Sequence, residues 1–150
     1  MRGTPIAHAE LSVLAQLPAG EYGAHFLWTT LEPCLLCQAA ATMTHIGQVR
    51  YLAADAICLG LDGLPSINAN AARRYPQITG PGEGLEERFA AILPIAVLAA
   101  AMPDGWAIGQ YRQHSPDNAA LAVRIVTDGS LPDRAGGLDA ALDWMARLLV

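Results

Sequence analysis

The sequence predicts an α/β fold, a sheet with helices on its faces, followed by a helical C-terminal stretch. Three observations carry that expectation. Helical periodicity alternates with short aromatic and β-branched runs through the first hundred residues, which is the pattern of sheet and covering helices. The last fifty residues carry helical patterning alone. Apolar residues make up 53 % and charged residues 15 % of 150 positions, enough to bury a core. The expected organisation is therefore residues 1–100 as the α/β part, with residues 101–150 as a helical extension packed on the same domain.

Each element has a local reason. Thr4-Pro5 ahead of I-A-H-A-E-L-S-V-L-A-Q-L reads as an N-cap with proline at the first helical position, the helix ending before Pro18. His25 to Leu31, H-F-L-W-T-T-L, is aromatic and β-branched and reads as a strand. Pro33 opens a second helix that stops near Gly47, and Gln48 to Ala53 forms a second strand. Residues 60–82, rich in Gly, Pro and Asn, read as loop with a short helix near Ala69 to Tyr75 and a brief strand at Gln77 to Thr79. Leu85 begins a helix bent at Pro94, and Ser115-Pro116-Asp117 caps another that ends near Gly129. Leu138, Ala141, Leu142, Met145, Leu148 and Leu149 follow the i, i+3, i+4, i+7 rule of a final amphipathic helix.

Composition excludes several roles. Three cysteines do not make a disulfide framework, so reduced thiols in a cytoplasm are expected. The N-terminus lacks the apolar core of a signal peptide. The most apolar stretch, Phe89 to Met102, is interrupted by Pro94 and too short for a bilayer, so no membrane partner is expected and it reads as a buried helix. The net charge is −5, all nine basic residues are arginine, and only Arg73 and Arg74 are adjacent. That balance disfavours a polyanion such as tRNA against a small-molecule partner.

The chemistry concentrates in two short stretches, H-A-E at residues 8–10 and P-C-L-L-C at 33–37. Cysteines at i and i+3 near a helix start share one face, and the helix N-terminus favours the thiolate. His8 occupies the equivalent place on its own helix, so one imidazole and two thiolates offer three ligands suited to zinc. Three protein ligands leave a fourth position for water, the form of a catalytic site. Glu10, two residues beyond His8, is the candidate to accept a proton from that water and pass it to a substrate nitrogen. The competing readings are a redox pair, two buried core cysteines, and a structural zinc completed by Cys58, His45 or His25. Cys58, in A-I-C-L-G, reads as core, and His25, His45 and His114 read as surface or internally satisfied histidines.

Together, H-A-E and T-L-E-P-C-L-L-C resemble the zinc-dependent cytidine and deoxycytidylate deaminase superfamily, whose signature is H-x-E followed by P-C-x-x-C. The likeness runs from about Thr4 to Ala100. T-P-I-A-H-A-E, L-W-T-T-L-E-P-C, I-G-Q-V-R-Y and I-T-G-P-G-E-G-L-E-E-R-F look like the branch of tRNA adenosine, guanine and deoxycytidylate deaminases. The resemblance implies a three-layer α/β/α sandwich with a five-stranded sheet. It implies one zinc per chain on His8, Cys34 and Cys37 with water as fourth ligand, Glu10 as proton shuttle, and the backbone around Ala9 and Glu32 lining the base pocket. The implied activity is hydrolytic removal of the exocyclic amine of a nucleobase, nucleoside or nucleotide, releasing ammonia. The alternatives are a tRNA adenosine deaminase and an inactive zinc-binding subunit of the same fold. A homodimer or larger homo-oligomer is expected for either.

Two departures from the family accompany it. The family places a helix and a two-stranded hairpin ahead of H-A-E, and that hairpin supplies an asparagine that reads the base; here seven residues precede His8, and no residue takes that role. The strand His25 to Leu31 is therefore expected at an exposed sheet edge, covered by upstream sequence, by a partner subunit or by the last fifty residues. The helices of those last fifty residues match nothing in the family.

Overall fold

Two loop-to-helix junctions and the strands beside them frame the first part of the molecule. In the computed structural model, which describes residues 4, 6–129 and 137–148, these elements run in order as α1 (Ala9–Leu14), β1 (Phe26–Leu31), α2 (Leu35–Met43) and β2 (Gln48–Ala53). A 3-10 turn (Leu61–Gly63), α3 (Leu64–Ile67), α4 (Ala69–Arg74) and β3 (Gln77–Thr79) follow. The chain divides into two compact units, Met1–Pro81 and Gly82–Val150.

The three strands make one parallel sheet in the order β1-β2-β3. Phe26 stands opposite Gln48 and Leu31 opposite Ala53, and Gln48 and Arg50 face Gln77 and Thr79. Parallel neighbours require a crossover, which α2 supplies for the first pair and the 3-10 turn with α3 and α4 for the second. Alternation along the strands then sorts the side chains. Leu27 and Val49 point to one face and pack with Leu14, Ala41 and Ile46 from the helices and their flanks. Phe26 and Trp28 point to the other, where the Arg50 guanidinium lies 4.6 Å and 5.0 Å from their ring centroids.

Strand β1 is the edge that the sequence anticipated: among the described residues it pairs on one side only. Its apolar character is open to solvent, with Phe26 48 % and Trp28 68 % exposed.

Both helix starts lie later than expected. Helix α1 begins at Ala9, because Thr4 first closes a turn by accepting the Ala7 N–H (3.0 Å); Pro5 lies outside the described residues. Helix α2 begins at Leu35, with Cys34 as its N-cap in extended conformation, so Pro33 precedes the helix. Its end is set by a Schellman arrangement in which the Ile46 N–H bonds the Ala41 carbonyl (3.1 Å) and the His45 N–H the Thr42 carbonyl (3.2 Å). His45 takes the left-handed conformation, φ 57°, that glycine usually supplies there. Gly47 is instead required by contact: a Cβ there would lie 1.8 Å from the Gly23 carbonyl oxygen.

The second unit is helical throughout its described residues: α5 (Leu85–Ala101), α6 (Trp106–His114), α7 (Pro116–Asp128) and α8 (Gly137–Leu148). Helix α5 packs on the three that follow it, and the division between the units falls after Pro81, whereas the sequence suggests a boundary at residue 100. It buries Ala91, Ile92, Ile95, Ala96 and Ala99, a stripe at helical spacing, and runs through Pro94. Helix α7 starts with Pro116 at its first position and ends at Gly129, φ 63°, as its sequence signals require. In α8, Ala141 and Met145 are buried; Leu149 and the side chain of Leu138 lie outside the described residues. No helix among the described residues is long and apolar enough to cross a membrane.

Candidate metal centre

The sheet is parallel, so the chain leaves β1 at its carboxyl end and turns directly into α2. Cys34 sits at that turn as the N-cap and Cys37 one turn in. His8 is likewise the N-cap of α1. Neither cap side chain bonds its own helix, which leaves both free to point at each other. The His8 Nδ1 lies 3.4 Å from the Cys34 Sγ and 3.3 Å from the Cys37 Sγ, and the two sulfurs are 3.6 Å apart.

Those distances can be tested against a metal. Tetrahedral zinc, with bonds of about 2.3 Å to sulfur and about 2.0–2.1 Å to nitrogen, sets sulfurs about 3.8 Å apart and sulfur from nitrogen about 3.6 Å. All three separations fall within a few tenths of an ångström of these, so the group could hold a metal ion, and the donor set of one imidazole and two thiolates suits zinc. Among the described residues no fourth protein ligand joins the group. Cys58 is buried and points its thiol to the Glu32 carbonyl (3.8 Å), His45 bonds Glu21 (3.2 Å), and His25 packs edge-on against Tyr22. None of the three candidates for a closed structural site stands at the cluster.

Burial pushes the Cys37 thiol well up, and the neighbouring Cys34 thiol and Glu10 carboxylate add to the rise. The expectation that its place in the helix would favour the thiolate is therefore corrected: for a side chain with no solvent exposure, desolvation outweighs the helix end. A divalent cation at the cluster restores the thiolate, because coordination displaces the thiol proton.

Beside the cluster lies a cleft of about 450 Å³, lined by His8, Ala9, Glu10, Val13 and residues 27–31. The structure thus places Ala9 and Glu10 on the same cleft as one ligand. Glu32 stands one residue beyond the lining. Its N–H bonds the Ala53 carbonyl (2.8 Å), and its carboxylate accepts the Asp55 N–H (3.2 Å). Burial raises the Glu32 pKa; the Asp55 N–H opposes the rise, and the Asp55 and Asp62 carboxylates add to it.

Gln38, next to Cys37, is a residue that the sequence motifs do not single out. It is 2 % exposed, donates from Nε2 to the Pro33 carbonyl (3.0 Å), and meets the Tyr75 hydroxyl with its Oε1. The Tyr75 hydroxyl also contacts the Leu61 carbonyl (2.9 Å). Gln38 thereby ties the loop that carries Cys34 to the crossover after β2. The signal was a polar residue on the helix stripe Cys37, Gln38, Ala41, Thr42, all four of which are buried. Asp55 is a second such residue, 6 % exposed, with its Oδ1 accepting the Ile57 N–H (3.0 Å).

Comparison with family models, with curated proteins and with solved structures found no match. The His8, Cys34 and Cys37 group and the mixed α/β fold are what the structure supplies on its own.

Proposed function

We propose that the chain is a zinc-dependent hydrolase that deaminates an aminated nucleobase ring, free or as nucleoside or nucleotide, on a cytidine deaminase-like α/β/α framework. The observation that carries the reading is the group of three potential ligands with a carboxylate beside it, one of the three, His8, lining the same cleft as that carboxylate. The cluster offers three ligands where a closed structural site needs four. A zinc ion held by His8, Cys34 and Cys37 would supply Lewis acidity and lower the pKa of a water at its open position.

The chain's own residues account for the remaining requirements. Glu10 is the one carboxylate lining the cleft, and it is close enough to Cys37 to act on that thiol. In this reading Glu10 takes one proton from the attacking water and returns it to the departing nitrogen; the C–N bond breaks, the remaining hydroxyl proton moves to the adjacent ring nitrogen, and water and an aminated ring become a ring carbonyl and ammonia. Gln38 fixes the Pro33 carbonyl and with it the turn that carries Cys34, acting as a positioning residue. Ala9 adds no side chain beyond a methyl group, leaving room for a flat ring at the cleft.

The deciding experiment is ammonia release from zinc-loaded protein over bases, nucleosides and nucleotides, with Glu10→Ala as control. The substitution is expected to keep the zinc and lower the rate about 10²–10⁴-fold. Turnover that survives Glu10→Ala would remove its assigned role, and silence of the wild type with zinc bound would favour the inactive zinc-holding subunit. The observation on that reading's side is that β1 pairs on one side only among the described residues.

A further inference from the structure

Resting on that reading and narrowing it, we propose that the cleft accepts its ring as an uncharged base or nucleoside, held by the free edge of β1, and discriminates against the corresponding nucleotide. The first argument is geometric. Five consecutive residues, 27–31, line the cleft. Successive side chains of a strand point to opposite faces, so a cavity touched by all five runs along the strand's edge and not across one face. That edge is main chain. The Gln48 N–H bonds the His25 carbonyl (3.2 Å), so Leu27 and Thr29 turn their peptide groups toward β2, and the Trp28 N–H and C=O and the Thr30 N–H turn outward; the alternation breaks beyond Thr29, where the register passes over Thr30 and the Glu32 N–H bonds the Ala53 carbonyl (2.8 Å). Alternating N–H and C=O groups in one plane complement the amide-like edge of an aminated heterocycle. Side chains compete little for that role, since the Thr29 hydroxyl already donates to the Leu31 carbonyl (2.7 Å).

The second argument is charge. No arginine lines the cleft, and Glu10 is its one carboxylate. The described arginines of this unit serve elsewhere: Arg50 stacks on Phe26 and Trp28, and Arg73 and Arg74 stand in the last turn of α4. Phosphate recognition relies on guanidinium, ammonium or clustered N–H donors, and a phosphate here would meet a carboxylate with no cation from an arginine or lysine. The ring is welcome and its phosphate is not.

Equilibrium binding to the zinc-loaded Glu10→Asp protein, which keeps the carboxylate in the cleft and withdraws it from the reacting atoms, tests this by calorimetry or ligand-observed NMR with cytosine, adenine and guanine as bases, nucleosides and 5′-monophosphates. At least one base or nucleoside is expected to bind about 10-fold or more tightly than its monophosphate. Thr30→Pro removes one outward N–H and no ladder hydrogen bond, and should weaken the ring about 3–10-fold with zinc content and circular dichroism unchanged. Thr30→Arg, which supplies a cation, should narrow the gap between nucleoside and monophosphate. The proposal is overturned by a monophosphate that binds as tightly as its nucleoside, or by the failure of every base and nucleoside to bind at millimolar concentration. It is equally overturned if Thr30→Pro and Thr30→Arg both leave the binding profile untouched. Failure of the deaminase reading looks different: the wild type would bind rings as described and release no ammonia.

Discussion

In the first unit the buried positions include Gln38, Thr42 and Asp55, which are all of the buried polar or charged side chains among the described residues, together with Cys37. The second unit buries Ile92, Ile95, Ile108, Ile125 and Met145, the large apolar side chains of four helices. Burying a polar group is unfavourable unless it is hydrogen-bonded, so a protein retains such residues where they position something. Gln38 holds the Pro33 carbonyl, Thr42 the Gln38 carbonyl (2.8 Å), and Asp55 the Ile57 N–H. The difference separates a unit whose interior carries hydrogen-bonded polar side chains beside the candidate site from one whose interior is mostly apolar packing, with Tyr111 as its buried side chain that bears a hydroxyl.

Metal removal should expose this difference most strongly. Closed structural zinc sites carry about 10–16 kcal/mol of apparent free energy near neutral pH, and a metal held by three ligands from separate elements contributes to folding in the same way with fewer bonds. Stripping the metal with a chelator, or substituting Cys37→Ala, should therefore raise amide hydrogen exchange across α1, β1 and α2. Helices α5 to α7 should keep their protection. Equal loss in both regions would show that they do not divide the work in this way.

The converse perturbation is a cavity in the second unit. Ile125 is 1 % exposed on α7, and Ile125→Ala should cost about 2–5 kcal/mol through lost burial and the void left behind. Its melting temperature should fall while the protein takes up as much added zinc as the wild type. Zinc loss accompanying the cavity would mean that the helical packing is itself part of the site.

Much of this architecture is legible in the residues. The grouping of His8, Cys34 and Cys37, which could hold a metal ion, could be read because H-x-E and P-C-x-x-C place chemically unusual side chains at spacings that neither core packing nor a solvated helix face requires. β2, β3, α4 and α7 stand where their residue patterns put them, and the structure adds the cap of α4, Asn68, whose Oδ1 accepts the Asn70 and Ala71 N–H groups. The helix starts near His8 and Cys34 were displaced because proline marks permission to start a helix, not the point at which intrahelical bonding begins. The company that α5 keeps was hidden for another reason. Its apolar stripe specifies that a face is buried and says nothing about which element covers it.

Within the first unit, Gln38 offers a finer test. Replacing it with leucine keeps the volume and leaves the Pro33 carbonyl and the Tyr75 hydroxyl without this partner. The expected cost is about 1–3 kcal/mol in denaturant unfolding, together with weaker zinc retention in chelator competition. A variant that unfolds earlier but retains zinc like the wild type would confine Gln38 to stability.

The smallest effect concerns Glu32, whose carboxyl is raised above its ordinary range chiefly by burial. The folded state then holds that proton more tightly than the unfolded chain, so stability falls as pH rises from the ordinary glutamate pKa through the raised folded value. Below that window both states are protonated, and the wild type carries no penalty. Glu32→Gln keeps an acceptor oxygen for the Asp55 N–H and removes the ionisation. The substitution should therefore stabilise the protein at pH 7 and make no difference at pH 3.5. Because the group is partly solvated and screening reduces such terms, the gain should stay below about 1 kcal/mol. Thermal unfolding of both proteins at the two pH values measures it. A loss of stability at pH 7 would show that the ionised carboxylate, through its bond to Asp55, holds the loop after β2 more firmly than its burial opposes.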